Sequence, residues 1–365
     1  MGSKNKVMVI GASGLVGAAA VNEFLNEGWD VVAVSRRKPE VDSAREYQHL
    51  PLDLQNADAC RDAMKNMGDV THVVYAAVYE MPGLMPGWSD PAQMSTNISM
   101  MENIMNPLSE VAKGLRHVNV LQGTKAYGAH LHEIPIPARE DAPRDNHANF
   151  YWLQEDYIRA NSVKYGYAFT IWRPQLIVGP NYGVVMNLPP VIGAYAAICK
   201  KLGMPFAFPG GTRWVWEAVD TRLVASALCW AASEPKSHGQ TYNITNGEVF
   251  DWRTMWPAMA KTLGAEVGED SSLSLAEFLP ANAGVWQEIV KEHGLRPLSI
   301  EEVCGESHHY ADMCFMYGSD LLAPYTFLST AKLRQHGFSG AYNTEESFCH
   351  WLSVLQDRKV IPARN

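Results

Sequence analysis

The apolar run Val7–Ile10 breaks into a turn with glycine at 11, 14 and 17 and continues into the small-residue and apolar stretch Val16–Glu27. A strand, a tight glycine turn and a helix in that order constrain the fold more than any other feature of this chain. Gly11 permits the tight turn, Gly14 lets backbone approach a pyrophosphate, and Gly17 lets helix and strand pack closely. The helix start then presents free N–H groups and the positive end of its dipole to a phosphate. The signature GASGLVG therefore nominates Gly11, Ser13, Gly14, Leu15, Val16 and Gly17 as dinucleotide-binding residues.

The same alternation continues. Strand-like runs fall at Val7–Ile10, Asp30–Ser35, Val70–Ala76, Val118–Gln122 and Phe169–Trp172. Helical patterns lie between them near Val16–Glu27, Ala57–Asn66, Met94–Gly114 and Phe150–Tyr165. Strands that alternate with helices predict an α/β fold, a Rossmann-type doubly wound parallel sheet with right-handed crossovers. Beyond Pro180 the chain turns rich in Trp, Pro and Met, with apolar helices expected at Val191–Cys199 and Thr221–Ala232. That half reads as a smaller mixed α/β substrate-binding domain or lid. The expected division is 1–180 for the nucleotide domain and 181–365 for the lid, with about 217–250 returning to the first.

At 365 residues the chain suits roughly two domains and needs neither disulfides nor metal to hold a core. Thirty basic against 39 acidic residues leave a net charge of −9, which argues against nucleic acid as the partner. No run approaches the length of a membrane span, and the start has no secretory pattern. The scattered cysteines, without a CxxC pair, fit a reduced cytoplasmic protein. Two packed helices could form a homodimer.

The end of the second strand selects the cofactor. NAD enzymes carry an acidic residue there for the ribose 2′-hydroxyl. This chain reads VVAVSRRKP, so Ser35, Arg36 and Arg37 offer a hydroxyl and two guanidinium groups suited to a 2′-phosphate. NADPH is the expected cofactor. Asp53 of PLDL, with Leu54, would sit by the adenine; the alternative for Asp53 is a helix N-cap. Ala76 and Ala77 end the fourth strand with side chains small enough for a cofactor to cross the sheet edge. Gln122 closes the fifth strand, and Ile177 would face the nicotinamide.

Hydride chemistry in such folds commonly uses Tyr and Lys on one helix as YxxxK, four residues apart on one face. None of the 15 tyrosines has Lys at that spacing. LQGTKAYG (121–128) and NFYWLQED (149–156) offer a replacement from two elements: Lys125 at the carboxyl edge of the sheet and Tyr151 in the first turn of the next helix. A lysine beside the phenol is expected to lower the pKa of Tyr151.

These two segments resemble the progesterone 5β-reductase and iridoid synthase-like enzymes, an atypical branch of the extended short-chain dehydrogenases. That family writes its lysine motif LQTGxKHYxG and its tyrosine motif NFYYxxED. WRPQLIVGP (172–180), MNLPPVIGAYAAICK (186–200), YNITNGEVFDW (242–252) and VWQEIVKEHGL (285–295) are similar to further family segments, and the likeness reads as that of a bacterial-type member. Here the lysine motif is one residue shorter, Ala126 stands where the family has His, and Trp152 replaces the second Tyr. A Met- and Pro-rich stretch, EMPGLMPGWSDP (80–91), follows the fourth strand.

The resemblance implies an NADPH-dependent ene-reductase. It would reduce the activated C=C of enones and enals by 1,4-addition, with Tyr151 and Lys125 stabilising the enolate. The substrate would be a small apolar enone, enal or carbonyl compound. Alternatives are 1,2-reduction of a carbonyl with the same residues, or an NADPH-sensing regulator without turnover. A sugar epimerase or dehydratase is the weaker reading, because those enzymes normally use YxxxK. Several further signals carry blander expectations. CGESHHYADMC (304–314) has no standard ligand spacing, so no metal is expected. AHLHE (129–133) reads as a surface loop, TRWVWEAVD (212–220) as core and lid packing, and Asn97 as a structural hydrogen-bonder.

Overall fold

The computed structural model describes residues 5–82, 86–321 and 324–364. Part of the Met- and Pro-rich stretch, residues 83–85, lies outside them. Strands β1 (Lys6–Ile10), β2 (Asp30–Val34), β3 (Gln48–Leu50), β4 (His72–Tyr75), β5 (His117–Leu121) and β6 (Ala168–Pro174) alternate with helices α1 (Leu15–Asn26), α2 (Ala57–Met64), α3 (Pro91–Val111) and α4 (Phe150–Tyr165). Then follow β7 (Ile177–Val178), α5 (Leu188–Leu202), β8 (Val215–Glu217), β9 (Val219–Asp220), α6 (Thr221–Ser233), β10 (Gln240–Ile244) and β11 (Val249–Asp251). The rest is helical: α7 (Trp252–Leu263), α8 (Leu275–Ala281), α9 (Ala283–His293), α10 (Ile300–Cys304), α11 (Ser307–Cys314), α12 (Ala331–Gln335) and α13 (Thr344–Asp357).

Seven strands form one parallel sheet in the order β10-β6-β5-β4-β1-β2-β3. The strand order reverses between β1 and β4, which opens the crevice where ligands bind in such sheets. Side chains alternate across the sheet as the pleat demands. Val7 and Val9 of β1 face α1 and α6 through Val21, Phe24 and Leu228. Met8 and Ile10 face the opposite layer, with Met101, Ile104 and Met105 of α3 and Ile158 of α4. A further core, between α5, α7, α9 and α13, is built on Trp252, Trp256 and Trp286.

Helix α3 begins at Pro91 rather than Met94. The Asp90 carboxylate accepts the Ala92 N–H at 2.7 Å, and proline is favoured in the first turn, where no N–H bond is needed. Residues 112–114 drop out of its far end because Ala112 leaves helical geometry. β10, from far along the chain, pairs with β6 and extends the first half's sheet. No helix among the described residues is long and apolar enough to cross a membrane.

Candidate active site

A cleft of about 970 Å³ runs over the carboxyl edge of the sheet, from the glycine turn to α11. Its first half is the glycine turn itself. Gly11 has φ +87°, and a Cβ there would lie 2.6 Å from the Ala77 nitrogen. A Cβ on Gly17 would lie 2.1 Å from the Gly11 carbonyl oxygen, so Gly17 serves the close helix–strand packing and lies outside the cleft wall. Gly14 is the N-cap of α1, and the first turn of that helix carries no acidic side chain. Gly11, Ser13, Gly14, Leu15 and Val16 line the cleft, leaving a cradle that any larger residue at 11 would fill.

Ser35, Arg36 and Arg37 border the cleft at the end of β2. The Ser35 hydroxyl donates to the Arg37 carbonyl at 2.6 Å, so it shapes the basic turn. Both guanidinium groups are exposed, and neither has a partner among the described residues. Asp53 and Leu54 line the adjoining wall. Asn56, not Asp53, caps α2 by accepting the Ala59 N–H, while Asp53 accepts the Gln55 N–H at 3.0 Å. Ala76, Ala77 and Ile177 form the floor. Gln122 also borders the cleft, but its side chain is taken up internally, donating to Glu155 at 3.2 Å and accepting from Arg173 at 3.0 Å. Together these residues suit a dinucleotide: backbone N–H groups at a helix start, free cations beyond β2, and small residues between.

The second half of the cleft holds Lys125 and Tyr151. Lys125 sits in a short turn, Thr124–Tyr127, directly after β5 and ended by Gly128 at φ +75°. Tyr151 lies in the first turn of α4. Asn149 joins the two. Its side-chain oxygen caps α4 by accepting the Tyr151 N–H at 3.0 Å, and its amide nitrogen donates to the Lys125 carbonyl at 3.1 Å. The same nitrogen meets His147 Nε2 at 3.0 Å, and His147 Nδ1 lies 2.6 Å from an Asp145 carboxylate oxygen.

The Lys125 ammonium lies 4.1 Å above the Trp88 ring, and Trp88 meets the Tyr151 ring edge-on at 5.4 Å. Trp88 is thus the wall common to both. The Tyr151 hydroxyl rests against Gly123, where a Cβ would be 3.4 Å away, and has no hydrogen-bond partner among the described residues. The expected lowering of the Tyr151 pKa does not occur. Burial pushes it up, and Glu80 adds to the rise, so the phenol stays protonated. Burial pushes the Lys125 ammonium down, while Glu80 pulls it back up.

Several cleft residues carried no individual sequence signal. Both ring nitrogens of His130 are buried without a hydrogen-bond partner among the described residues, and buried Trp88 Nε1 faces the buried Glu80 carboxyl. His130 corrects the surface-loop reading of AHLHE: its ring turns into the cleft against Trp88 at 6.0 Å, and burial pushes its pKa down to about 4. His132 of the same segment does sit outside, paired with Asp145 at 2.7 Å. Trp214, Trp216, Tyr310, Met313 and Met316 supply an apolar roof. Cys304 and Cys314 are core residues, and no group of three potential metal ligands occurs among the described residues. Asn97 is buried and bonds the backbone of Tyr79.

The sequence profile of the NAD dependent epimerase/dehydratase family matches residues 7–245. The (S)-8-oxocitronellyl enol synthase of Antirrhinum majus is 30% identical over 369 residues, covering 97% of this chain and 90% of that protein. The 3-oxo-Delta(4,5)-steroid 5-beta-reductase of Arabidopsis thaliana is 29% identical over 374 residues, covering 97% and 92%. Among solved structures, Bordetella bronchiseptica WbmG in complex with NAD has a TM-score of 0.66 at 17% identity, covering 99% of this chain and 96% of that one. The UDP-glucose 4-epimerase of Thermotoga maritima with UDP-glucose has a TM-score of 0.67 at 14% identity, covering 96% and 99%. At that identity the structural likeness establishes the fold alone.

Proposed function

The chain belongs to the NAD dependent epimerase/dehydratase family, and from that footing we propose that it is an NADPH-dependent ene-reductase acting on enones or enals. The observation that carries the proposal is the pair Lys125 and Tyr151, drawn from two elements onto one apolar cleft wall beside a dinucleotide-shaped turn. The relatives named for enol synthesis and for steroid 5β-reduction support the same class of substrate.

Arg36 and Arg37 would hold the 2′-phosphate of NADPH, and the start of α1 its pyrophosphate. When bound, that cofactor supplies the hydride, which 1,4-reduction delivers to the β-carbon of the unsaturated carbonyl. Negative charge then gathers on the carbonyl oxygen, and the enolate becomes the saturated carbonyl when its α-carbon takes a proton from water. The protonated Tyr151 hydroxyl, free of other partners, donates a hydrogen bond there. Lys125 keeps its ammonium close by on the Trp88 face and adds positive potential. The roof of Trp214, Trp216 and Met316 keeps water away, which strengthens both effects.

The test is NADPH consumption with 2-cyclohexen-1-one, citral and progesterone, with identification of products. Saturated carbonyl products are expected; allylic alcohol as the sole product would replace this reading by 1,2-reduction. Tyr151→Phe should lose about 10²–10³-fold in kcat/KM, the usual cost of one oxyanion donor, with NADPH affinity retained.

A further inference from the structure

Lys125 and Tyr151 face one cleft, yet one stands in a loop and the other on a helix. The short turn that carries Lys125 is gripped at both ends. At its start, the Lys125 carbonyl accepts the Gly128 N–H at 3.2 Å and the Asn149 amide at 3.1 Å. At its close, the Gly128 carbonyl accepts the Leu131 N–H at 2.8 Å and the His132 N–H at 3.1 Å. Asn149 and His132, which hold the two ends, lead to the same carboxylate.

Asp145 Oδ2 lies 2.7 Å from His132 Nε2, and its Oδ1 lies 2.6 Å from His147 Nδ1. His147 Nε2 lies 3.0 Å from the Asn149 amide nitrogen. Asn149 is buried, and its oxygen accepts the Tyr151 N–H at 3.0 Å. One arm from Asp145 therefore runs inward to the backbone of both Lys125 and Tyr151, and the other returns to the close of the turn. Gly128 shows how tightly the carboxylate is set against that turn. Its φ is +75°, and a Cβ there would lie 2.6 Å from His132 Nε2 and 2.9 Å from Asp145 Cγ. The His147 ring also backs the cleft wall. Its centroid is 5.3 Å from that of His130, which stands 6.0 Å from the Trp88 ring beneath Lys125.

A carboxylate presents two acceptor oxygens at a fixed angle, and its charge-assisted bonds are shorter and stronger than neutral ones. One such group tied to both ends of a short turn fixes where the Lys125 side chain leaves the backbone. An ion pair as open to solvent as His132 with Asp145 adds little stability, so its value here is geometric.

We propose that Asp145 is a positioning residue for the reduction: through His132, and through His147 and Asn149, it clasps both ends of the Lys125 turn and holds Lys125 in register with Tyr151. The inference rests on the ene-reductase reading above. Asp145 itself lies outside the cleft wall and acts only through these neighbours.

Rates, a double variant and a chemical probe of Lys125 test it. Asp145→Ala should lose about tenfold in kcat on 2-cyclohexen-1-one, with the KM for NADPH within about twofold of wild type, because misplacement at the reacting centre costs rate. Asp145→Asn, whose amide can still bond both imidazoles, should lose about threefold or less. In an Asn149→Ser background the inner arm is already cut, so Asp145→Ala should cost only about threefold or less there. Independently of turnover, acylation of Lys125 by acetic anhydride, read by mass spectrometry against the exposed Lys113, should rise about threefold or more in Asp145→Ala as the turn loosens. NADPH-binding stoichiometry and melting temperature give the folded fraction of each variant. If the alanine variant does not fold, His147→Phe keeps a ring beside His130 but has no nitrogen for Asp145 or Asn149, and should lose about three- to tenfold in kcat. If folded Asp145→Ala matches wild type in kcat and in Lys125 acylation while Tyr151→Phe loses activity, the Asp145 proposal is overturned and the ene-reductase reading stands. If Tyr151→Phe is also unaffected, that reading fails, and Lys125 acylation still decides whether Asp145 holds the turn. If Asp145→Asn is as slow as Asp145→Ala, or the alanine loss is undiminished in the Asn149→Ser protein, Asp145 acts by its charge or by another route, which likewise overturns the proposal.

Discussion

Asn149 makes three side-chain bonds that can be separated by substitution, and they separate stability from catalysis. Its oxygen caps α4 at the Tyr151 N–H, 3.0 Å away, and its amide nitrogen tethers the Lys125 carbonyl at 3.1 Å and meets His147 Nε2 at 3.0 Å. Removing a helix N-cap costs about 1 kcal/mol, and losing an ordinary hydrogen bond about 1 kcal/mol more. Asn149→Ala loses all three, so its unfolding free energy should drop by about 3 kcal/mol. Asn149→Ser keeps a capping oxygen but has no N–H to reach Lys125 or His147, so it should lose about two-thirds as much. The two variants should nonetheless share one catalytic defect. With the tether gone, the Lys125 turn is free to shift against the helix that carries Tyr151. A displacement of about 1 Å at a reacting centre can cost 10²-fold, so a loss of about 10- to 100-fold in kcat/KM is expected in both. NADPH affinity should stay unchanged, because none of these bonds touches the glycine turn or the Arg36–Arg37 turn. Urea denaturation gives the stabilities, steady-state reduction of 2-cyclohexen-1-one the rates, and tryptophan fluorescence the cofactor affinity. Full kcat/KM in a folded Asn149→Ser protein would refute the idea that this side chain sets the Lys125–Tyr151 geometry.

Further expectations come from the rest of the molecule. Replacing Arg36 and Arg37 together by Ala should raise the KM for NADPH about 10- to 100-fold and leave that for NADH nearly unchanged, because two charge-assisted contacts to a 2′-phosphate disappear; equal effects on both cofactors would refute the assignment. Gly17→Ala puts a Cβ 2.1 Å from the Gly11 carbonyl oxygen, a backbone atom with little room to move, and should destabilise by about 1–3 kcal/mol while weakening NADPH binding. Burial pushes His72 down to about 4 and His117 to about 3, so both stay neutral in the fold where the unfolded chain takes up protons. Stability should therefore be intact above pH 6.5 and fall as pH drops toward 4, by up to about 3 kcal/mol for His72 alone; a urea midpoint that is flat across that window would contradict this.

The parts of the fold that could be read from the sequence are those whose cause is local. Val7, Val9, Met8 and Ile10 sort to opposite faces by the period of the strand, and Gly11 and Gly17 answer to backbone crowding within a few residues. Helix ends were less evenly legible: α2 begins at Ala57 as expected, but α3 begins at Pro91, three residues ahead of the apolar pattern, because the Asp90 cap sets its start. Lys125 and Tyr151 stood between these cases. No spacing rule joins them, because their proximity is made by β5 and α4 meeting across the cleft, and the motif resemblance supplied what periodicity could not.

Glu80, His130 and Trp88 show why the remainder was hidden. An acidic residue in a loop after a strand is ordinarily solvated, and so is a histidine in AHLHE; each becomes a cleft residue only through distant partners. Tyr310 of α11 arrives from more than 200 positions away to face the carboxyl, and Gln93 and Asn97 fix its backbone from a helix whose sequence announces only an apolar face. Burial changes the chemistry of the group as well as its position. Desolvation raises the pKa of the Glu80 carboxyl, and the same enclosure raises the Tyr151 pKa instead of lowering it. The carboxylate of Glu80 adds to the Tyr151 rise, so the phenol keeps its proton. A site that stabilises an enolate by hydrogen bonds, with Lys125 supplying the nearby positive charge, needs that arrangement. A site that worked through a pre-formed tyrosinate would need the opposite.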